Sequence, residues 1–597
     1  MEITRNFCNY SFILAGKRAF FYRFSDSGFK DKWTGFWIMP YKIFDYISVK
    51  ISGTWLSAEN LMDFKYDGKK AVSKYNLNGK IITETIFVPE DKKAVVIKID
   101  GAKEVEYEIG FNIKKREENW HDRDYKIKNN TIEGPCKIKI DGAKIANSYY
   151  KDHYPGDEKQ RCLVVVLKAD KNILVISGER IDVRKEEKNL KPMEKKFWCN
   201  DDNLEEAFKW MATNIDMLYH KSKYGGGFFA GYPWFTMFWG RDSGWMIEGA
   251  VRLGMFEEAK SALETLAKNS DDRIVNYLMT DGSKAYNSID ATLLWIISLH
   301  DYVFNSGDIA FLKKMKHKMK IYMSNYLSNL DDNGFPIHDL EESETWIDTY
   351  KRKGAIEIAV LWIRALECYS ELLLLLKQEN GYKDIAEEQK NKLEMLWDEG
   401  KRYYRDSLDS ERITPNALFA PYFGIENHLE DILNTIESYN LNTDWGVRSL
   451  SNTDPEYDPS SYHKGSIWGF LTALAACVEL KYGENGMKYL KILSGTVNEK
   501  CLGGTNETWD GDTKRATGCC MQGWNAALFI NAIDDFMLGI KIDAFADKNA
   551  EKCVTIDPRL PAEIDKIRRK RRIRNKWVEI VIERAGDKII SKIKLVK

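Results

Sequence analysis

A multidomain α+β architecture is predicted for the 597-residue chain: an N-terminal antiparallel β-sandwich over 1–195, a toroid of six helical hairpins over 196–540, and a short C-terminal β-rich extension over 541–597. Three observations lead there. Apolar and polar residues alternate with a period of two up to about Lys195, twelve helical patterns follow to about Ile540, and strand-like alternation then returns.

Strands of the first unit include Tyr46-Ile-Ser-Val-Lys-Ile51, Ile81-Ile-Thr-Glu-Thr-Ile-Phe-Val88 and Ala94-Val-Val-Ile-Lys-Ile99. Asp67-Gly68, Asn78-Gly79 and Asp141-Gly142 punctuate such stretches, the glycines supplying the backbone freedom that tight turns need. Helices are predicted over 204–220, 243–252, 256–268, 288–305, 309–327, 355–376, 386–397, 417–423, 429–439, 465–482, 487–497 and 518–537. Twelve helices make six hairpins; inner and outer helices then alternate, and the loops at one end of the inner ring can converge on a central cleft. The long loops after alternate helices are therefore the places to look for function. In the extension, 553–556, 577–583 and 588–596 read as strands that pack on the rest instead of folding alone.

Charge and composition narrow the function. Lys+Arg 89 against Asp+Glu 90 gives a formal net charge of −1, so no whole-protein field draws phosphate backbones or acidic membranes, and a dedicated nucleic-acid binder is excluded. The basic run Arg568-Arg-Lys-Arg-Arg-Ile-Arg-Asn-Lys576 lies among acids between two strand-like segments and reads as a solvated hairpin. Ten cysteines without a CxxC pair are expected to be reduced and mostly buried. The N-terminus has no apolar stretch of signal-peptide type, and the aliphatic run Leu372 to Leu376 falls far short of the ~20 residues that span a bilayer. A soluble, cytoplasmic protein is expected. The aromatic fraction of 13%, with 18 Trp and 30 Tyr, exceeds what cores of this size need. Sugars present flat C–H faces to such rings and hydroxyls to polar groups, so a cleft of Trp and carboxylates suits carbohydrate; core filling is the competing use.

Three loops carry the unusual composition. The first, Gly225 to Asp242, has four Gly before Tyr232, Trp234 and Trp239 among seven aromatics, and a terminal Arg241-Asp242 pair that can bracket vicinal hydroxyls. Asp242 as a helix cap with Arg241 in a salt bridge is the structural alternative. The second, Asp331 to Asp348, holds seven carboxylates: Asp331, Asp332, Asp339, Glu341, Glu342, Glu344 and Asp348. Its opening Asp-Asp-Asn-Gly lacks the remaining ligand spacing of a calcium loop and reads as a turn. Asp348 follows Trp346 across one residue, and an apolar ring beside a carboxyl raises its pKa, as a general acid at neutral pH requires. The third displays Glu507 in a Gly-rich loop beside Trp509. Asp348 and Glu507 are about 160 residues apart and meet only if a toroid brings their loops together.

Tyr286 and Asp290 open one helix, and His463 and Trp468 another; with Trp346 and Trp509 they are candidate substrate contacts, although residues such as Asp290 and His463 more often serve as a structural cap and a satisfied helix-end histidine. Eight His without HExxH or CxxC make a catalytic transition metal improbable, and no Gly-rich phosphate loop stands at a strand–helix junction. No cofactor is expected.

Taken in order, Ala230-Gly-Tyr-Pro-Trp-Phe235, Gly240-Arg-Asp242, Tyr286-Asn-Ser-Ile-Asp-Ala291, Thr345-Trp-Ile-Asp348, Gly465-Ser-Ile-Trp468 and Asn506-Glu-Thr-Trp-Asp-Gly-Asp512 resemble the amylo-α-1,6-glucosidase (glycogen debranching) family over roughly residues 200–540. The resemblance implies an (α/α)6 barrel behind a β-sandwich and hydrolysis of α-glucosidic bonds with inversion by two carboxylates. It places the general acid on Asp348, the general base on Glu507, and contacts to the terminal glucose on Arg241 and Asp242. Trp33-Thr-Gly-Phe-Trp37 and Thr236-Met-Phe-Trp239 depart from the family pattern. The expectation is an exo-acting α-1,6-glucosidase on a glycogen-like α-glucan or oligosaccharide, with Glu344 the next candidate acid. A glucoamylase- or trehalase-like enzyme is the alternative on the same scaffold. A silent carbohydrate-binding protein would keep Trp234, Trp239 and Trp346 without needing both acids.

Overall fold

Alternation in the first 177 residues is resolved into two antiparallel sheets, of nine and eight strands. The structure is a computed structural model describing residues 3–4, 10–116, 124–151, 162–337, 345–438, 440–546, 552–586 and 588–596. Leu61–Tyr66, Lys70–Leu77, Lys80–Phe87 and Ala94–Asp100 run as successive neighbours in the larger sheet. The turns between the first three carry Gly68 and Gly79 at φ +88° and +86°, a region that side chains with a Cβ avoid. Gly142 does different work. It passes the chain from Lys137–Asp141 in the larger sheet to Ala143–Lys151 in the smaller. Inward residues of both sheets, among them Val49, Ile97, Tyr107, Val165 and Ile176, share one apolar core.

A short helix, α1 (Val183–Asn189), leads to twelve more: α2 (Asp202–Leu218), α3 (Gly240–Arg252), α4 (Phe256–Lys268), α5 (Asp290–Ser306), α6 (Ile309–Leu327), α7 (Ile356–Leu375), α8 (Tyr382–Lys392), α9 (Phe419–Tyr422), α10 (Leu429–Glu437), α11 (Gly469–Tyr482), α12 (Gly486–Thr496) and α13 (Gly523–Asn531). α4 and α6 span the predicted residues. α11 and α13 begin later than predicted, because Ile467–Trp468 and Met521–Gln522 pair with distant strands that claim their backbone groups first. The packing between helices is circular: α3 packs on α5, α5 on α7, α7 on α9, α9 on α11, α11 on α13, and α13 back on α3. Even-numbered helices pack beside them, α4 on α3, α8 on α7, α12 on α11 and α2 on α13. Burial follows the same division. Every residue of α3 is buried, whereas α8 buries only Ala386 and Gln389. Among the described residues no helix is long and apolar enough to cross a membrane. The cysteines among them are free, and most are buried.

The C-terminal sheet orders Phe197–Cys199, Lys566–Ile573, Lys576–Ala585 and Lys588–Leu595 side by side. The basic run forms the expected hairpin, but it is not the solvated one predicted. Its period of two turns Arg569 and Arg571 inward, at 0% and 1% exposure, while Arg568 and Lys570 keep to the outer face. Arg569 is held bidentately by Asp534 at 2.7 and 2.9 Å, and Arg571 donates to Asp534 and Asn305. A buried carboxylate supplied by the turn that extends α13 is what makes burial of these cations tolerable.

Candidate active site

The candidate polar residues gather at one end of the helical ring, where the odd-numbered helices begin. Arg241 and Asp242 lie in the first turn of α3, and Asp290 opens α5. Asp348 precedes α7, Asn416 precedes α9, Tyr462 and His463 precede α11, and Glu507 with Gln522 precedes α13. Exposed helix N–H groups at these ends favour anionic groups nearby.

Glu507 is 1% exposed. Its backbone ties two loops together, donating to Cys519 O at 2.8 Å and accepting from Gly469 N at 3.1 Å. Its carboxylate accepts the Tyr462 hydroxyl at 2.6 Å and the Cys519 amide at 3.0 Å. Burial pushes the carboxyl up to about 7; the two hydrogen bonds oppose that shift, and the Asp348 charge adds to it. Gly518, at φ +64°, gives this carboxylate room, since a Cβ there would stand 2.8 Å from Oε2.

Asp348 keeps 47% of its side chain in solvent. Its pKa is nevertheless raised, chiefly by burial in the cleft, with Arg241 opposing. His463 Nδ1 lies 3.6 Å from its Oδ1 and 3.0 Å from Thr349 Oγ1. Burial depresses the imidazole to about 3, so at neutral pH the ring is uncharged and forms no ion pair with Asp348. Three residues before Asp348, Thr345 anchors the loop: its carbonyl accepts Arg241 Nη2 at 3.0 Å and its hydroxyl accepts Arg352.

Arg241 therefore faces protein more than expected, since its Nε also donates to Asp290 at 2.5 Å. Asp290 accepts Ser288 Oγ at 2.6 Å as well. Asp242 accepts Gln522 Nε2 at 3.1 Å, and burial lifts its carboxyl to about 7 against the pull of Arg241. Shared electrostatics link Asp348, Glu507, Asp242, Asp290 and Arg241 in one cluster.

The aromatic candidates separate. Trp234 and Trp239 are half-buried on the first loop. Trp346, Trp468 and Trp509 are buried, and each indole N–H donates within the protein, to Asn416 Oδ1, Tyr462 O and Glu499 Oε2. Trp346 packs edge-on against His463 and Trp468, beneath the carboxylates' loops. The Tyr286 hydroxyl pairs with Asp271 and Lys284 instead of the cluster. The predicted turn at Asp331 is present, its carboxylate accepting the amides of Asn333 and Phe335. Asp339, Glu341, Glu342 and Glu344 lie outside the described residues. Tyr462 and Gln522 were not singled out in the sequence; proximity to His463 was the only signal for Tyr462, and Gln522 had none. Among the described residues, no group of three or more His, Cys, Asp or Glu is arranged to hold a metal ion.

Residues 211–531 match the amylo-alpha-1,6-glucosidase family. The chain belongs to that family. Arg241, Asp242, Asp290, Asp348, His463 and Glu507 all fall inside the amylo-alpha-1,6-glucosidase match, whereas the two N-terminal sheets and the C-terminal hairpins fall outside it. No curated protein matches the sequence. Among solved structures, a bacterial glucoamylase complexed with acarbose is similar with a TM-score of 0.64 and 13% identity, over 90% of this chain and 95% of that one. A putative kojibiose phosphorylase from the human microbiome is similar with a TM-score of 0.61 and 10% identity, over 99% of this chain and 95% of that one. These likenesses concern the fold. With the family match, they identify a glycoside-active enzyme.

Proposed function

We propose that the protein is an inverting, exo-acting glycoside hydrolase that releases glucose from α-1,6 branch points of a glycogen-like α-glucan, on an (α/α)6 barrel whose inner ring is α3, α5, α7, α9, α11 and α13. Asp348 is the general acid and Glu507 the general base. The observation that carries this reading is the contrast between the two acids: Glu507 is buried and held by two hydrogen bonds, and Asp348 is half-exposed with a raised pKa. A fixed carboxylate can orient one water, and a solvent-facing acid can meet a leaving oxygen. Asp348 then protonates the glycosidic oxygen while Glu507 takes a proton from water attacking the opposite face of the ring. Arg241, locked to Asp290 and Thr345, holds the Asp348 loop against α5. Trp234 and Trp239 offer ring faces to the sugar.

Phosphorolysis is the second reading, prompted by the kojibiose phosphorylase likeness. Glu507 weighs against it, because a carboxylate at the attacking position repels a phosphate dianion and activates water. One experiment tests both readings. The protein is incubated with glycogen limit dextrin, maltooligosaccharides, isomaltose and trehalose, with and without inorganic phosphate. Free glucose from the limit dextrin and isomaltose, unchanged by phosphate, is expected; glucose 1-phosphate, or release from trehalose alone, would overturn the assignment.

A further inference from the structure

Thr345, Trp346 and Ile347 lead directly to the proposed acid, and the side chains that hold them take no part in proton transfer. Asp348 stands on a turn whose base is closed by Arg352, which donates to the Thr345 hydroxyl. That hydroxyl also accepts the Ile347 amide and donates to the Ile347 carbonyl, each at 3.2 Å, so the residue before Asp348 is tied at both of its backbone groups. Trp346 is held separately, its indole N–H donating to Asn416 Oδ1 at 3.0 Å. Both holds lead to one atom. Asp406 Oδ1 accepts Arg352 Nη1 at 2.9 Å and Asn416 Nδ2 at 2.8 Å, with Thr414 Oγ1 a third donor at 2.8 Å. Asp406 is 0% exposed, and its carbonyl accepts the Ile356 amide at 3.1 Å, which fixes it to the start of α7.

Glu357, in the first turn of α7, also accepts from Arg352, so two buried carboxylates fix the plane of that guanidinium. Trp346 carries the restraint on towards the acid: it packs edge-on against His463 at 5.5 Å, and His463 Nδ1 is 3.6 Å from Asp348 Oδ1. We infer that Asp406 is a positioning residue for the general acid: through Arg352 to Thr345, and through Asn416 to Trp346, it fixes the backbone from which Asp348 meets the leaving oxygen. This rests on the glucosidase reading above and deepens it, adding to Asp348 and Glu507 a third carboxylate that acts at a distance from the sugar. Misplacing a proton donor by about 1 Å can cost ~10²-fold in rate. That cost falls in kcat, because the proton is transferred only in the transition state and does not help to bind the substrate.

The test compares a substrate whose departure needs a proton with one whose departure does not. Thr345→Val and Asn416→Leu each cut one arm and leave Asp406 beside Arg352, whereas Asp406→Ala cuts both. Each variant is assayed on isomaltose, which leaves as an alcohol, and on α-glucosyl fluoride. A loss of roughly 10- to 100-fold in kcat is expected on isomaltose, with KM little changed and a far smaller loss on the fluoride. Thr345→Ser, which keeps the hydroxyl, should recover most of the rate. Adding either arm variant to Asp406→Ala should cost little more, since both arms act through that residue. Thermal unfolding of each variant is followed in parallel; if Asp406→Ala does not fold, the two arm variants and Thr345→Ser decide. Equal losses on the two substrates, no loss on either, or losses carried by KM would remove the positioning role while leaving the glucosidase assignment intact. A wild type silent on every glucoside would remove both.

Discussion

Tyr462 offers a direct way to test the role of Glu507. Its hydroxyl donates to Glu507 Oε1 at 2.6 Å, to a carboxylate that is 1% exposed. A hydrogen bond to a charged group contributes roughly 1.5–3 kcal/mol, and each pKa unit corresponds to about 1.36 kcal/mol. Tyr462→Phe should therefore raise the Glu507 pKa by about 1–2 units from its value of about 7. The direction follows from the donor, which stabilises only the ionised form. At pH 7 a base that was about half ionised becomes ~1–10% ionised, so the rate falls by roughly 5- to 50-fold. Above about pH 9 much of the rate returns. α-Glucosyl fluoride is the right substrate for this profile, because fluoride leaves with little help from an acid and the acidic limb then reports the base alone. The assay is kcat/KM against pH for wild type and variant, with circular dichroism at each pH as the control for unfolding. An acidic limb that stays in place, or one that moves to lower pH, would refute the assignment of Glu507 as base.

Other outcomes follow from the same geometry. Glu507→Gln should retain ligand binding and lose ~10²–10⁴-fold in turnover. The same variant should be more stable than wild type at pH 8, by about 3 kcal/mol, because the burial that raises this carboxyl from 4.5 to about 7 must be overcome when it ionises. Wild type bears none of that cost below the unfolded pKa of 4.5 and loses stability relative to the variant as pH rises from there through 7, so the urea unfolding curves of the two proteins should converge toward pH 4.5. Asp348→Asn should fail on natural glucosides and lose far less on α-glucosyl fluoride; proton NMR before mutarotation should find β-glucose as the first product from wild type. Asp534→Ala, which leaves Arg569 and Arg571 buried without their counter-charge, should cost about 3–5 kcal/mol in thermal or urea unfolding.

Local pattern was enough for much of the scaffold. A period of two identifies strands, Asp67-Gly68 and Asn78-Gly79 mark hairpin turns, and twelve helical stretches can be placed, two of them with the observed ends, because each depends on residues a few positions apart. The ordered motifs also single out Asp348, Glu507, Arg241 and Asp242 before any contact is known. What pattern does not contain is which face of each residue the rest of the chain covers. Trp346, Trp468 and Trp509 read as sugar platforms, yet they are buried with internal partners, and Arg241 is engaged by Asp290 and Thr345, 49 and 104 residues away. Arg569 and Arg571 read as solvated because Asp534 is distant in sequence. The Tyr462 bond that opposes the burial-driven rise of the Glu507 pKa crosses 45 residues and two loops. Desolvation and buried hydrogen bonds belong to the assembled volume, not to a segment, so the ionisation of the two acids was decided only when the tertiary structure excluded water from one of them and left the other half-exposed.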